Sequence, residues 1–264
     1  MPTLDLTTIL VVTVAGFLGG TINAVVGSGT LIVYPALLAL GVPPVLANGT
    51  NTTGLSMGNF SAAWGYRREL ADRASILALP LIVAVLGAVT GALLVIRLPE
   101  VVFATIVPWL IIGSCVLVAV QPMIARRLSR RRAPVETSND QPALRTDRRW
   151  PLPVATAAVG VYGGYFGAGQ GVILMAVLGA VYDRDIQRAN AAKNLLAAVA
   201  NVTAAITFAV SGQVWWAAAA LVAVGAIIGG TLGASVARRL PPVAMRIAVV
   251  AVGLLAALSI LIRR

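Results

Sequence analysis

SILALPLIVAVLGAVTGALLVI, the run from Ser75 to Ile96, contains no charged residue. An α-helix rises about 1.5 Å per residue, so such a run matches the ~20 residues needed to cross the hydrocarbon core of a bilayer. Similar blocks follow at Val101 to Val120 and Val214 to Ala237. Lipid offers the backbone no hydrogen-bond partner, so repeated apolar blocks of this length mean helices, each satisfying its own amides. The whole chain agrees: of 264 residues, 59% are hydrophobic and 11% charged, and the mean hydropathy is +0.91. A soluble domain is about one-quarter charged. The fold class is therefore all-α, a polytopic transmembrane helical bundle in a lipid bilayer.

The first block, Leu6 to Val26, reads as structure rather than a cleaved leader: Asp5 precedes it, no Lys or Arg does, and it lacks a small-residue cleavage motif. Cys115 is the one cysteine and there is no histidine, which excludes a disulfide framework and a Cys/His metal site. A net charge of +11 could suggest nucleic acid. The arginines instead gather at helix ends and in one loop, the distribution that sets membrane topology, so no nucleic-acid partner is expected.

That loop, residues 121–150, carries Arg126, Arg127, Arg130, Arg131, Arg132, Arg145, Arg148 and Arg149 among Pro134, Ser138, Asn139 and Pro142. Its charge and turn formers predict a solvated cytoplasmic linker between residues 1–120 and 151–264.

The two flanks repeat one another. At an offset of 142, Asn59-Phe60-Ser61-Ala62-Ala63 recurs as Asn201-Val202-Thr203-Ala204-Ala205, Gly87 and Gly91 recur as Gly229 and Gly233, and Arg97-Leu98-Pro99 recurs as Arg239-Leu240-Pro241. At an offset of 140, Gly27-Ser28-Gly29 recurs as Gly167-Ala168-Gly169. Each copy divides into five helical pieces: 6–26, 30–41, 45–66, 74–97 and 100–120, then 151–166, 170–182, 187–210, 214–238 and 242–262. The second piece of each copy is too short to cross alone, so it forms a hairpin with the first at the glycine cluster. Three full crossings remain per copy, and an odd number inverts the second copy. The basic residues test this. An inverted arrangement puts Arg67, Arg68, Arg73, Arg184, Arg188, Arg238 and Arg239 on the side of the basic loop, and leaves Arg97, Arg246, Arg263 and Arg264 against the rule.

Three sets of residues could carry chemistry. The clusters Gly27-Ser28-Gly29-Thr30 and Gly167-Ala168-Gly169-Gln170 each interrupt an apolar helix and open a short one. Helix N-termini present free amides and partial positive charge, which suits an anion, although the same glycines would also serve simply as tight turns. The third helix of each copy carries a polar stripe. One is Asn48, Thr52 and Asn59 with Asn51 and Ser56 close by; the other is Asn190, Asn194 and Asn201 with Lys193 beside it. Asn48, Asn51, Thr52, Asn190 and Asn194 are candidates for a site, while Asn59 and Asn201, deeper in their helices, read as inter-helix bonds. Lys193 stands apart: the other 19 of the 20 basic residues are arginine, and this lysine lies in a membrane helix. A lone ammonium there marks a pathway unless its stem carries it to the interface.

All nine carboxylates fall in expected loops or at helix ends. A general base, a metal cage and a carboxylate proton relay therefore lack residues, so neither an enzyme nor a cofactor is implied.

The string Gly16-Phe17-Leu18-Gly19-Gly20-Thr21-Ile22-Asn23-Ala24-Val25-Val26-Gly27-Ser28-Gly29, with Pro35-Ala36-Leu37-Leu38 after it, resembles the TauE/SafE family of sulfite and organosulfonate exporters. So does Gly163-Gly164-Tyr165-Phe166-Gly167-Ala168-Gly169 followed by Arg188-Ala189-Asn190-Ala191-Ala192-Lys193-Asn194. The resemblance implies a multi-pass transporter of the bacterial cytoplasmic membrane with a small anionic substrate, often sulfur-containing. Many relatives carry a basic residue after the asparagine of the first copy, where this chain has Thr52 after Asn51. A homodimer is compatible with the sequence.

Overall fold

Glycine and proline punctuate the chain into helices. A computed structural model describes residues 4–25, 27–65, 70, 74–130, 151–182, 186–237 and 242–262. Among these the order is α1 Leu6–Val25, α2 Thr30–Ala39, α3 Pro44–Gly65, α4 Ala74–Arg97, α5 Glu100–Arg130, α6 Pro151–Tyr165, α7 Gln170–Val181, α8 Ile186–Val210, α9 Trp216–Ala237 and α10 Pro242–Ile262. No strand occurs among the described residues. Residues 131–150, Arg67, Arg68, Arg73, Arg184, Arg238, Arg239 and the terminal arginines lie outside them.

Most ends fall within two residues of those read from the sequence. Asp5 begins α1 by accepting the Thr8 N–H at 2.9 Å, and hydrogen bonding from Thr8, its side chain first and its N–H second, holds the Asp5 carboxyl below the usual range. The exception is α5, which passes the expected end at Val120 and continues through Pro122 to Arg130. Proline withholds one N–H, but Met123 and Ile124 continue the apolar run and no glycine intervenes to release the helix.

Among the described residues, four helices contain spans long and apolar enough to cross a membrane: Leu6–Asn23, Ser75–Arg97, Glu100–Ile124 and Arg188–Val210. Their outer faces suit lipid. Leu86, Val101 and Val210 are 61%, 75% and 85% exposed, and exposed leucines and valines recur along α1, α4, α5, α9 and α10. A water-facing surface would not tolerate this much contiguous apolar area.

Packing is reciprocal between the two five-helix halves. α1 packs along α9 and α4 along α6, α3 meets α8, and α5 meets α10. Glycines permit the closest approaches. Gly16 and Gly20 of α1 press on Val222 and Ala226 of α9, while Gly87 and Gly91 of α4 press on Ala157 and Val161 of α6. A methyl group at Gly16 would lie 2.6 Å from the Val222 carbonyl oxygen, and one at Gly87 2.5 Å from that of Ala157. Membrane helices associate through such small-residue contacts. Residue numbers rise together across both interfaces, so α1 runs in the same direction as α9, and α4 as α6. One buried apolar cluster joins α1–α5 and α8–α10; a second joins α4 and α6–α8. The two glycine turns meet between the halves.

Candidate anion site

The turns α1–α2 and α6–α7 share a left-handed glycine but differ two residues on, where Gly29 has φ −58° and Gly169 φ 74°. Gly27 (φ 80°) and Gly167 (φ 73°) reverse the chain in the left-handed region, where a side chain would be strained. Beyond them α2 and α7 begin. The turns touch: a Cβ on Gly27 would lie 3.5 Å from the Cα of Gly171, in the first turn of α7. Two helix N-termini thus converge from opposite halves on one place, each adding partial positive charge there.

Around that place is a cavity of about 40 Å³ lined by Asn23, Gly27, Ser28, Gly29, Thr30, Thr52, Leu55 and Asn59 from the first half. The second half contributes Phe166, Gly167, Gln170, Gly171, Lys193, Asn194, Ala197 and Asn201. At roughly 10–15 Å³ per water, the volume takes about three oxygen-sized groups. Among the described residues Lys193 is the only charged one in the lining, and no carboxylate joins it. The cavity therefore offers one ammonium, two helix N-termini and a ring of hydroxyls and amides, a donor-rich set with nothing built in to neutralise it.

Two lining side chains are buried with unpartnered oxygens. Ser28 is 1% exposed and Gln170 3%, and Ser28 Oγ and Gln170 Oε1 have no hydrogen-bond partner. Buried polar atoms are nearly always paired, so such orphans point to a ligand or water that completes them. A half-turn of the Gln170 amide would present its NH₂ instead.

The amides of the two halves arrive by different routes. In the first half, Asn23 accepts the Gly29 N–H at 3.5 Å and donates to Asn59 Oδ1. The position equivalent to Asn23 in the second half is Gly163, and there a Cβ would lie 2.6 Å from Cδ of Gln170. The Gln170 amide thus fills the space left by the missing asparagine.

Of the residues expected from the sequence, Gly27, Ser28, Gly29, Thr30, Thr52, Gly167, Gln170, Lys193 and Asn194 line the cavity. Asn48, Asn51, Ala168, Gly169 and Asn190 do not. Asn48 and Asn51 are fully buried; Asn48 donates to the Tyr165 carbonyl at 3.0 Å and Asn51 to Thr30 Oγ1 at 3.3 Å. Ala168 is held from behind: its carbonyl accepts from Ser114 Oγ at 2.9 Å and from the Tyr162 hydroxyl. Gly169 caps α7 with φ 74°, and Asn190 lies one turn before Asn194 on α8.

Sequence reasoning missed Asn23 and Phe166, and assigned Asn59 and Asn201 to inter-helix bonding alone. Asn59 does bond Asn23 between helices, yet both it and Asn201 also face the cavity. The signal for Asn23 was available, as a lone amide in an apolar helix one turn before its glycine turn.

The profile of the family described as sulfite exporter TauE/SafE matches residues 12–260, which include every lining residue. The chain belongs to the TauE/SafE family. A probable membrane transporter protein of Haemophilus influenzae is 27% identical over 225 residues, spanning 83% of this chain and 81% of that protein. Probable membrane transporter protein ORF9 of a Sinorhizobium species is 30% identical, over 83% of this chain and 79% of its own. The Escherichia coli K12 protein YfcA, also described as a probable membrane transporter, is 28% identical over 82% and 76%. No solved structure matches the chain. TauE/SafE membership makes this a multi-pass membrane protein of a transporter family, and the cavity lies inside the part of the chain that the family shares.

Proposed function

We propose that the chain exports a small oxyanion, sulfite or a related sulfur oxyanion or small organosulfonate, by alternating access around this cavity. One observation carries the reading: Lys193 and the two glycine turns, one from each half, converge on a single cavity that no acidic side chain lines among the described residues. A transported anion needs donors without a permanent counter-ion, and helix N-termini supply them without the desolvation cost of further full charges. The cavity's size favours a compact oxyanion over a long-tailed sulfonate. The outward direction and the sulfur chemistry come from the family description alone.

The halves are proposed to be inverted repeats, residues 1–120 and 151–264, joined by the cytoplasmic linker and set in the bacterial inner membrane. The parallel registers of α1 with α9 and of α4 with α6 support inversion. Short links make α1 and α4 antiparallel within the first half, so the first helices of the two halves, α1 and α6, point in opposite directions. Transporters of this type place substrate between such repeats and move one against the other.

A thermal-shift screen of the purified protein against sulfite, thiosulfate, sulfate, sulfoacetate and simple carboxylates tests the substrate class. Stabilisation by compact sulfur oxyanions supports it; stabilisation by none of them, or by carboxylates alone, contradicts it. Flux separates carrier from channel: saturable turnover is expected, and single-channel current would contradict alternating access.

A further inference from the structure

The cavity is walled from a second, larger chamber of about 400 Å³, lined by Pro43, Val45, Leu46, Val95, Ile96, Leu98, Glu100, Gly212 and Gln213. Between them stands an aromatic layer. Phe166, which lines the cavity, packs edge-on against Tyr34 at 5.2 Å between ring centroids and lies 6.5 Å from Phe103, which is itself 5.5 Å from Tyr165.

The chain passes through the three levels in the same order more than once. On α3, Val45 and Leu46 line the chamber, Asn48 binds the Tyr165 carbonyl, and Thr52 and Leu55 line the cavity. From α2 into α3, Thr30 lines the cavity, Tyr34 stands in the layer and Pro43 lines the chamber. On α5, Glu100 lines the chamber and Phe103, one turn on, belongs to the layer. From Val45 to Thr52 the separation is about 10 Å at helical rise, so the barrier is one side-chain layer thick. Tyr34, Phe103 and Phe166 are all essentially unexposed. The Tyr34 and Tyr165 hydroxyls are buried without a partner. Apolar rings block an anion when closed, and orphan hydroxyls can donate to one when the rings part.

We infer that Tyr34, Phe103, Tyr165 and Phe166 form the gate between the anion cavity and the chamber face, which is the outer face in the topology proposed above. The inference rests on the transport reading of the cavity. The gate is one-sided in chemistry. At the repeat offsets, Tyr34, Phe103, Tyr165 and Phe166 correspond to Leu174, Met245, Val25 and Val26, so none of the four has an aromatic residue at its equivalent position.

Ser28→Cys in a Cys115→Ala background places a reporter thiol in the cavity. Its labelling by a membrane-impermeant methanethiosulfonate is followed in vesicles of each orientation. Phe103→Ala is expected to raise labelling from the chamber face several-fold and leave labelling from the other face unchanged. Phe103→Leu, which retains bulk, should give a smaller increase. Should Phe103→Ala fail to fold, Phe103→Leu and Tyr34→Leu carry the same test. Chamber-face rates equal to the parent, or equal increases from both faces, overturn the gate. Sulfite flux is measured for the same aromatic substitutions on wild-type Ser28. Opened labelling with no flux in any protein, wild type included, sinks the transport reading and leaves the barrier standing. Normal flux with unchanged labelling sinks the barrier alone.

Discussion

Lys193 is the residue on which the electrostatics of the cavity turn, since among the described residues no other charged side chain lines it. Lys193→Ala is expected to weaken anion binding by ~1.5–3 kcal/mol, the scale of a hydrogen bond to a charged group. Lys193→Arg should also be impaired, because a planar fork does not fit where a compact ammonium does. Calorimetry on the three proteins checks this, and equal affinities would remove Lys193 from the site. Ser28→Ala makes a sharper contrast. Its hydroxyl has no protein partner, so its loss should leave stability within about 0.5 kcal/mol of wild type while affinity falls by ~0.5–1.5 kcal/mol, a neutral hydrogen bond. A drop in melting temperature with unchanged affinity would make Ser28 a structural residue. Lys193 was legible from sequence because it is the only lysine in an arginine-using chain. The dual role of Asn59 was not, because its partner Asn23 lies 36 residues away on another helix and no local pattern links them.

Helix ends were legible because proline and glycine act locally, and α5 departs where the punctuation is weakest, at Pro122 within an apolar run. The packing partners were not legible. A stripe of glycines announces a close contact without saying with what, and only the structure matches Gly16 and Gly20 to α9, and Gly87 and Gly91 to α6. These elements predict a separation of effects. Gly160→Val would drive a side chain into the Ala84 backbone, where even a Cβ meets the carbonyl oxygen at 2.8 Å. It is expected to cost ~1–3 kcal/mol of stability while leaving the anion affinity of the folded fraction unchanged, since Gly160 does not line the cavity. Unfolding in detergent with parallel binding assays checks this; lost affinity at wild-type stability would contradict it. The glycine turns give no such separation. At Gly29 a Cβ would meet the Gly19 backbone, and Gly169 sits at φ 74°, so side chains at either would disturb fold and site together.

At the scale of the molecule, matched motifs predict a duplication, and reciprocal packing is what two similar halves would produce if each supplied the other's missing neighbours. Inversion makes a topological prediction. Gly41 and Gly212 both have open space around a would-be Cβ and, with Pro43 and Gln213 lining one chamber, should lie on one face. Cysteines at these two positions are expected to label from outside, and a cysteine at the exposed Arg188 from inside; labelling of all three from one face would contradict the scheme. Transport of a small anion through this cavity is read from sulfite flux in proteoliposomes. Wild-type protein should give saturable flux above empty liposomes, and folded Lys193→Ala should lose most of it at low substrate. Wild-type flux no greater than that of empty liposomes, or flux undiminished in Lys193→Ala, would contradict the account.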